Sequence, residues 1–527
     1  MEELPPQRRR PMLNLDHLQE YWNFRRDPLT TTLPRTNSDL NSNDLNPEFA
    51  NEPMESEANV PSLRLLENIL DVFISNFTFL LLLPLLLPLG VVNVLIRFVV
   101  SIYLRLRFRG TVRLMRGRDA FWAQQDGVNQ GNFTSLHILQ GECDLNSLRQ
   151  KLLDQWIEKK DLKGNYIYGR MKLRVARKFG YYCWERPKSF SIADHVKLFN
   201  EHDTAEKTEK EVFKLMQEKV SNPLLEGEKP QWEILIVPKY KYSDSRGNSN
   251  THYALIYHFH HSIMDSISAV QVMRNVFADG PVRPLIVNPM APVRMPFLKK
   301  WISYFLAVIL SAPMFFRIIH RKEDNCFYSG ASLMGSKFLS WSRPLNMKVL
   351  RKIKEHHRTT STAVIIASVS AALRKLATIK GKPIPKDLYA LTTAALLPYP
   401  NIKPQNRLSA LFSSMPVHLS EPLERLKNAA QMVNRFTVNA EIIMGYTYTR
   451  LIGRLPGFLI DRMVRMYCTA SIVLTNVPTA EEHITFFGGH KLVDVVAWSP
   501  IKNKMGKKLL FLDFVFTLNQ VCSGKAG

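Results

Sequence analysis

The chain has 527 residues, 46% of them hydrophobic, and carries a formal net charge of +24 at neutral pH. That length and apolar content supply two or three domains with sizeable cores and exclude a chain that is disordered throughout. The positive balance points to an anionic partner, whether a membrane surface, coenzyme phosphates or nucleic acid, and does not choose among them.

Residues 1–62 are rich in Pro, Asn, Ser, Asp, Glu and Arg and read as a disordered polar tail, relieved only by an apolar stretch around Leu13 to Trp22. The run Arg8-Arg9-Arg10 reads as a solvated charge cluster, and no apolar core follows it as a signal peptide would require. Composition then changes sharply. Val72 to Ile96 holds no charged residue, and Phe79 to Leu89 is almost all leucine, broken by Pro84 and Pro88. About 20 apolar residues match the thickness of a bilayer core, so a membrane segment is predicted over residues 69–104. Arg97, Arg105, Arg107, Arg109, Arg113, Arg116 and Arg118 follow the uncharged run and Arg64 alone precedes it closely, which places the rest of the chain in the cytosol by the positive-inside rule. Each proline removes a helix hydrogen bond, so a kinked span and a bent re-entrant hairpin both fit, with the span favoured. Neither Asn76-Phe-Thr nor Asn132-Phe-Thr is expected to be glycosylated, the first lying in the apolar stretch and the second on the cytosolic side.

Beyond the arginines, Thr134 to Leu139 reads as a strand and Leu145 to Trp156 as a helix. Lys159 to Lys188 is basic and interleaved with Tyr166, Tyr168, Tyr181, Tyr182 and Trp184, a mixture compatible with phosphate contacts and base stacking. No recognised nucleic-acid motif accompanies it, so a membrane- or coenzyme-facing surface is the more economical reading and no nucleic-acid partner is expected. A helix over Asp203 to Val220, a strand over Glu233 to Tyr240 and a polar loop at Ser243 to Asn250 lead into the β-branched and aromatic strand that begins at Tyr253.

That strand stops at His260-His261-Ser262-Ile263-Met264-Asp265-Ser266, and Ile267, Val270, Met273, Val276 and Phe277 then recur at helical spacing. An imidazole held at a strand end can take a proton from a hydroxyl, and a carboxylate in the first turn of a helix favours the positive end of its dipole. In isolation the same pattern more often marks a helix-terminal acid beside partly buried histidines. Five prolines from Pro281 to Pro296 then mark a linker. After it, Trp301 to Phe316 is apolar between Lys299, Lys300 and Arg317, Arg321, Lys322; short for a span, it reads as an interfacial helix, with a core helix as the alternative. Helices at Met347 to Glu355 and Thr362 to Leu376, strands at Leu388 to Leu396 and Ser471 to Leu474, and a buried strand at Lys508 to Leu518 give a mixed α/β second half. Cys143, Cys183, Cys326, Cys468 and Cys522 are scattered, so neither a disulfide framework nor a metal site is expected.

The histidine turn resembles the His-His-x-x-x-Asp-Gly signature of the wax ester synthase/diacylglycerol acyltransferase (WS/DGAT) family. Phe190-Ser-Ile-Ala-Asp-His-Val196 and Asn222-Pro-Leu-Leu-Glu-Gly-Glu-Lys-Pro-Gln-Trp-Glu233 resemble upstream blocks of that family. Leu350 to Lys354, Thr359 to Lys375, Ser414 to Arg425, and Thr475 to Pro478 with Phe487 to His490 resemble downstream ones, so that the likeness runs from about residue 115 to 515. It implies two chloramphenicol-acetyltransferase-like, CoA-dependent acyltransferase domains, an N-terminal half at 115–280 and a C-terminal half at 341–527, joined by a linker with the interfacial helix at 281–340.

By the resemblance, acyl-CoA is a co-substrate and no cofactor is bound. The implied reaction is esterification of a long-chain alcohol to a wax ester, with diacylglycerol as a further acceptor giving triacylglycerol. His261 is the implied general base, Asp265 orients the turn and His260 supports it, with neither a covalent acyl-enzyme nor a metal. The implied location is the endoplasmic reticulum membrane, catalytic part to the cytosol, with lipid droplet or plasma membrane as alternatives. Two positions depart from the pattern: Ser266 replaces the glycine after the aspartate, and Thr362-Ala363 replaces an Asn-Asp pair. They motivate a second reading, a catalytically weak or inactive lipid-binding scaffold on the same fold. A serine-triad hydrolase is not expected, since no Gly-x-Ser-x-Gly elbow is present.

Overall fold

A computed structural model of the chain describes residues 61–523 except 125–130, 201–204, 222–223, 225–227, 243–250, 281–296, 321–326, 328–336, 342–346, 387, 396–402, 438–439, 468–469, 478–483, 499–506 and 513–516. The polar tail with its Leu13 to Trp22 stretch, the proline linker, the loop at 243–250 and Pro478 lie outside the described residues.

Helix α1 (Pro61–Arg107) runs as one element of 47 residues through Pro84 and Pro88, so the chain does not double back as a hairpin. By length and composition it is apolar enough to cross a membrane, with a mean hydropathy of 2.6 in its most apolar window. Strand β1 (Val112–Leu114) and the short helix α2 (Gly117–Ala120) follow, then β2 (Asn132–Gln140) and α3 (Leu145–Leu152), which continues as a π-helical turn to Ile157. The basic, aromatic segment folds into a hairpin of β3 (Arg174–Lys178) and β4 (Tyr181–Glu185) that joins β1 in a three-stranded sheet. Its Tyr168, Tyr181, Tyr182 and Trp184 are buried, and cations lie over several of its rings, Arg177 over Tyr182 and Arg170 over Trp184. The mixture thus builds a packed hairpin, in which those four rings are not presented as stacking platforms.

Next come β5 (Val196–Leu198), β6 (Lys207–Thr208), α4 (Glu209–Ser221), β7 (Trp232–Val237), β8 (Tyr240–Lys241), β9 (His252–His260) and α5 (Ser266–Val272). All six residues of β7 and all nine of β9 are buried, as expected of interior strands covered on both faces. The chain goes on through α6 (Phe297–His320), β10 (Lys337–Trp341), α7 (Met347–His356), α8 (Ser361–Ile379), β11 (Tyr389–Ala395), β12 (Leu408–Ser414), α9 (Pro422–Thr437), α10 (Ala440–Ile452) and α11 (Gly457–Tyr467). It ends with β13 (Ile472–Val477), β14 (Thr485–Phe486), β15 (His490–Trp498), β16 (Lys507–Leu512) and β17 (Thr517–Ser523).

Two six-stranded sheets organise these elements. The first has the order β14-β15-β2-β9-β7-β5, with β9 antiparallel to both β2 and β7. Its β15 comes from near the C-terminal end of the described chain and pairs antiparallel with β2, Val495 opposite His137, after an irregularity between Leu492 and Asp494. The second has the order β10-β17-β16-β13-β11-β12, with β11, β13 and β16 parallel. The run Lys508 to Leu518 is therefore not one strand: β16 and β17 pair antiparallel, Leu512 opposite Thr517.

Helix α8 is apolar enough to pass for a membrane segment, but Ala363, Ile366 and Leu373 are buried with Leu411 and Ile472 in the core of the second sheet. Helix α6 is packed on one part and exposed on another. Ala307 is buried against Met444 of α10, while Phe297, Leu298, Trp301, Ile302, Phe305 and Val308 are exposed.

Candidate active site

Strand β9, in the interior of the first sheet, delivers the histidines at its C-terminal end, where the chain turns. His260 N donates to Gln231 O at 2.9 Å, His261 N to Gly131 O at 2.7 Å, and Ile263 N closes the turn on His260 O at 3.0 Å. Asp265 is the N-cap of α5 rather than a member of its first turn: one carboxylate oxygen accepts from Ser268 N at 2.9 Å. Its other oxygen accepts from Arg407 N at 2.7 Å, and its own N–H donates to Gln405 O at 3.0 Å. Ser268 Oγ completes the stitching at 3.0 Å from Gln405 O and 3.2 Å from Gln405 N. The strap 405–407, which leads into β12, is thereby fastened to the histidine turn.

The strap places Asn406 against His261. Asn406 Nδ2 donates to Ser262 O at 3.0 Å and to Asp119 Oδ1 at 3.2 Å, so the amide oxygen is the atom left to face His261 Nδ1, at 3.2 Å. A carbonyl oxygen only accepts, which assigns the imidazole proton to Nδ1 and the lone pair to Nε2. Asp119 is in turn fixed by Arg170, whose guanidinium reaches both of its oxygens at 2.8 and 3.2 Å and also donates to Ile263 O at 2.8 Å. The indole of Trp122 stacks on the His261 ring, centroids 4.3 Å apart and planes 16° from parallel. Asp119 and Trp122 are carried on and just after α2, which lies so close to α10 that a Cβ on Gly117 would sit 2.0 Å from Arg450 O. Only glycine fits that approach.

The structure brings His261 and Asp265 together with the second half of the chain, and both are buried. His260 is also buried, its Nδ1 2.8 Å from Ser262 Oγ, so it braces the turn. The two upstream blocks meet each other at the sheet edge: His195 stacks on Trp232 at 4.4 Å, and its Nδ1 lies 2.7 Å from Trp232 O. Burial lowers the pKa of His195 despite that hydrogen bond. Thr362-Ala363 opens α8, capped by Thr360, with Ala363 in the second core. Sequence reading missed Asp119, Trp122, Arg170 and Asn406.

Ser266, the first residue of α5, is half-buried and lines an apolar pocket between that helix and the first sheet. Phe133, Ser135 and His137 of β2, Ala269 of α5 and Val495 of β15 form other parts of its wall. Burial pushes His137 down to about 3, so its ring is neutral, 3.1 Å from Ser135 Oγ. A second, smaller pocket, walled by Trp156, Met171 and Tyr257, shares Ala269 and Met273 with the first. Among the described residues no three His, Cys, Asp or Glu side chains are grouped to hold a metal ion.

Residues 405–514 match the WS/DGAT C-terminal domain, a region whose first residues are the strap at the histidine turn. The C-terminal part of the chain therefore carries the WS/DGAT C-terminal domain signature. Among solved structures, the wax ester synthase/diacylglycerol acyltransferase from Marinobacter aquaeolei VT8 is similar over 78% of this chain and 93% of its own, at 15% identity and a TM-score of 0.50. The starter condensation domain of rhizomide synthetase, solved with C8-CoA and Leu-SNAC, is similar over 80% of this chain and 91% of its own, at 11% identity and a TM-score of 0.51. The chain thus has the mixed α/β, chloramphenicol-acetyltransferase-like fold of these structures. No curated protein matches it by sequence.

Proposed function

We propose that this protein is a WS/DGAT-type enzyme that transfers an acyl group from acyl-CoA to the hydroxyl of a long-chain alcohol, with diacylglycerol as a second acceptor. The observation that carries the reading is the His261–Asn406 contact, because it leaves Nε2 as the basic ring nitrogen. The acceptor's O–H donates to Nε2 and its oxygen attacks the thioester carbonyl. The C–O bond forms, the C–S bond breaks, and the proton held on the imidazole passes to the departing CoA thiolate. Base assistance of this kind is worth about 10² to 10⁴ in rate, so juxtaposing thioester and alcohol must supply the remainder. Asp265 keeps the turn and strap in register, and His260 braces them. The paired apolar pockets beside α5 suit hydrocarbon chains. The exposed apolar face of α1 supports attachment to a membrane. The arginines that follow its uncharged run put the catalytic part on the cytosolic side in our reading, at the endoplasmic reticulum.

Ser266 favours the non-catalytic alternative, since its side chain narrows a pocket that glycine would leave wider. The intact Arg170–Asp119–Asn406–His261 chain favours catalysis. The deciding experiment offers hexadecanol and diacylglycerol in competition, with labelled palmitoyl-CoA, to membranes carrying the wild type, His261→Ala or Ser266→Gly. The expected outcome is ester from the wild type and at least about 10²-fold less from His261→Ala. Undiminished product in that variant would rule out the general-base role, and product from Ser266→Gly alone would establish the scaffold reading.

A further inference from the structure

The apolar run of α1 is fastened to the folded body at both of its ends. At its N-terminal end, Asp71 pairs with Arg317 of α6 at 2.6 Å, and Asn76 Nδ2 donates to Ile309 O at 3.0 Å. Residue 71 lies by 317 and residue 76 by 309, so the two helices run antiparallel. Helix α6 is itself held on the body, through Tyr448 Oη donating to Ser311 O and the Ala307–Met444 contact with α10. Helix α10 in turn packs so closely on β12 that a Cβ on Gly445 would sit 2.1 Å from Ser409 Oγ.

At the other end, Asn93 and Arg97 both donate to Arg454 O, at 3.3 and 3.2 Å, and Arg97 also reaches Met115 O at 3.1 Å. Tyr181 Oη donates to Asn93 Oδ1 at 2.9 Å, and Leu104 is buried with Val112 and Cys183. Between these moorings, from Phe77 to Val92, the helix is exposed on nearly every side; Thr78 and Leu83 alone are half-buried.

A helix that spans a bilayer has its ends about 30 Å apart across the membrane, with a water-soluble body at one of them. Here about 26 Å of helix separates Asn76 from Asn93, and the same body holds both ends through polar groups. A span would carry the Asp71–Arg317 pair, whose side chains are 40% and 56% exposed, to the far side of the hydrocarbon together with the body attached to it. Moving charged surface through lipid is prohibitively costly.

We propose that α1 lies in the plane of the membrane, sunk into a single leaflet, and that α6 forms the second rail of the same platform. The proposal deepens the membrane attachment put forward above and rests on it. The occupant of the exposed surface is a lipid leaflet. The uncharged run from Val72 to Ile96 is continuous on α1, and α6 adds exposed Phe297, Trp301, Phe305 and Val308. The exposed Arg105, Arg107 and Arg109 directly after the run suit anionic headgroups on the same side. In this arrangement both ends of α1 stay on the catalytic side of the membrane.

The test uses the full chain with one epitope tag at each end, in sealed microsomes and in phosphatidylcholine/phosphatidylserine vesicles. Added protease should remove both tags from intact microsomes. Leu80, Leu87 and Val94 are then replaced one at a time by an environment-sensitive fluorescent amino acid and quenched by lipids brominated at defined depths. In-plane burial sets the three positions at one depth, away from the bilayer centre, whereas a span would separate Leu80 from Val94 by up to about 21 Å along the membrane normal. A protected N-terminal tag, or a depth profile that crosses or turns at the centre, overturns the in-plane arrangement and leaves membrane attachment standing. Failure of the chain to sediment with either membrane overturns both.

Discussion

Two buried histidines three residues apart, His258 and His261, meet opposite kinds of partner. His258 Nδ1 lies 3.5 Å from the carboxylate of Glu233, with Lys219 at 3.3 Å and Lys197 at 3.5 Å from the same acid. Burial alone would raise Glu233, but His258 and the two lysines outweigh it and hold the carboxyl at about 2. His258 thus belongs to a cluster of charged groups gathered around one buried acid. His261 instead faces the neutral amide of Asn406, while the nearest carboxylate in its network, Asp119, is paired with Arg170. A neutral acceptor fixes the tautomer without trapping the proton. That suits a base which must hand its proton to a leaving thiolate in the same turnover.

Breaking the structural cluster is expected to have the largest effect. Glu233→Gln removes the buried acid that His258, Lys197 and Lys219 share and should cost about 3 kcal/mol of stability, read in chemical denaturation, with a much smaller loss of turnover per folded molecule. Asn406→Ala should do the reverse. Released from its tautomer, His261 should lose about 10² in esterification rate and show a changed pH–rate profile, while circular dichroism of the folded chain stays as in the wild type. Asp265→Asn keeps an oxygen for Ser268 N but turns an N–H toward Arg407 N, so the unfolding midpoint should fall by the equivalent of about 1 to 2 kcal/mol.

The smallest effect concerns Asp494, half-buried on β15, which burial and the nearby Glu209 raise to about 6 against a backbone hydrogen bond that lowers it. Its folded pKa lies above the unfolded one, so its favourable contribution is complete below about pH 4 and is lost as pH rises through about 6. Asp494→Asn should therefore be more stable than wild type at pH 8, by about 1 kcal/mol given its partial exposure, and equal to it at pH 4. A gain at both pH values would show that the benefit is not protonation.

The strand, turn and helix around His261 were legible because each has a local cause: β-branched and aromatic residues up to Phe259, then apolar residues at helical spacing from Ile267. Asp265 was legible as a helix-terminal acid, but whether it capped or followed the first turn was not, because one residue of register decides it. Asn406 was not legible at all. It lies 145 positions from His261 in a strap with no periodicity, and nothing in Pro-Gln-Asn-Arg marks an asparagine that will touch an imidazole. Asp119 and Arg170 were hidden in the same way, the first by a four-residue helix and the second among many cations. The Lys508 to Leu518 run reads as one strand because both arms of its hairpin are apolar, and pairing partners rather than composition divide it.

The position of β15 reaches beyond geometry. The sheet that holds the histidine turn is closed by residues 490–498, and the strap that orients His261 arrives only at residue 405. A chain emerging from the ribosome can therefore seat α1 on a membrane hundreds of residues before its first sheet gains the β15 partner of β2. During that interval one edge of β2 stays open, and closure of such distant contacts is intrinsically slow. If α1 reaches the lipid first, it holds an unfinished domain at the membrane surface, and truncation before residue 490 should yield a tethered chain that is aggregation-prone and has an incomplete first sheet.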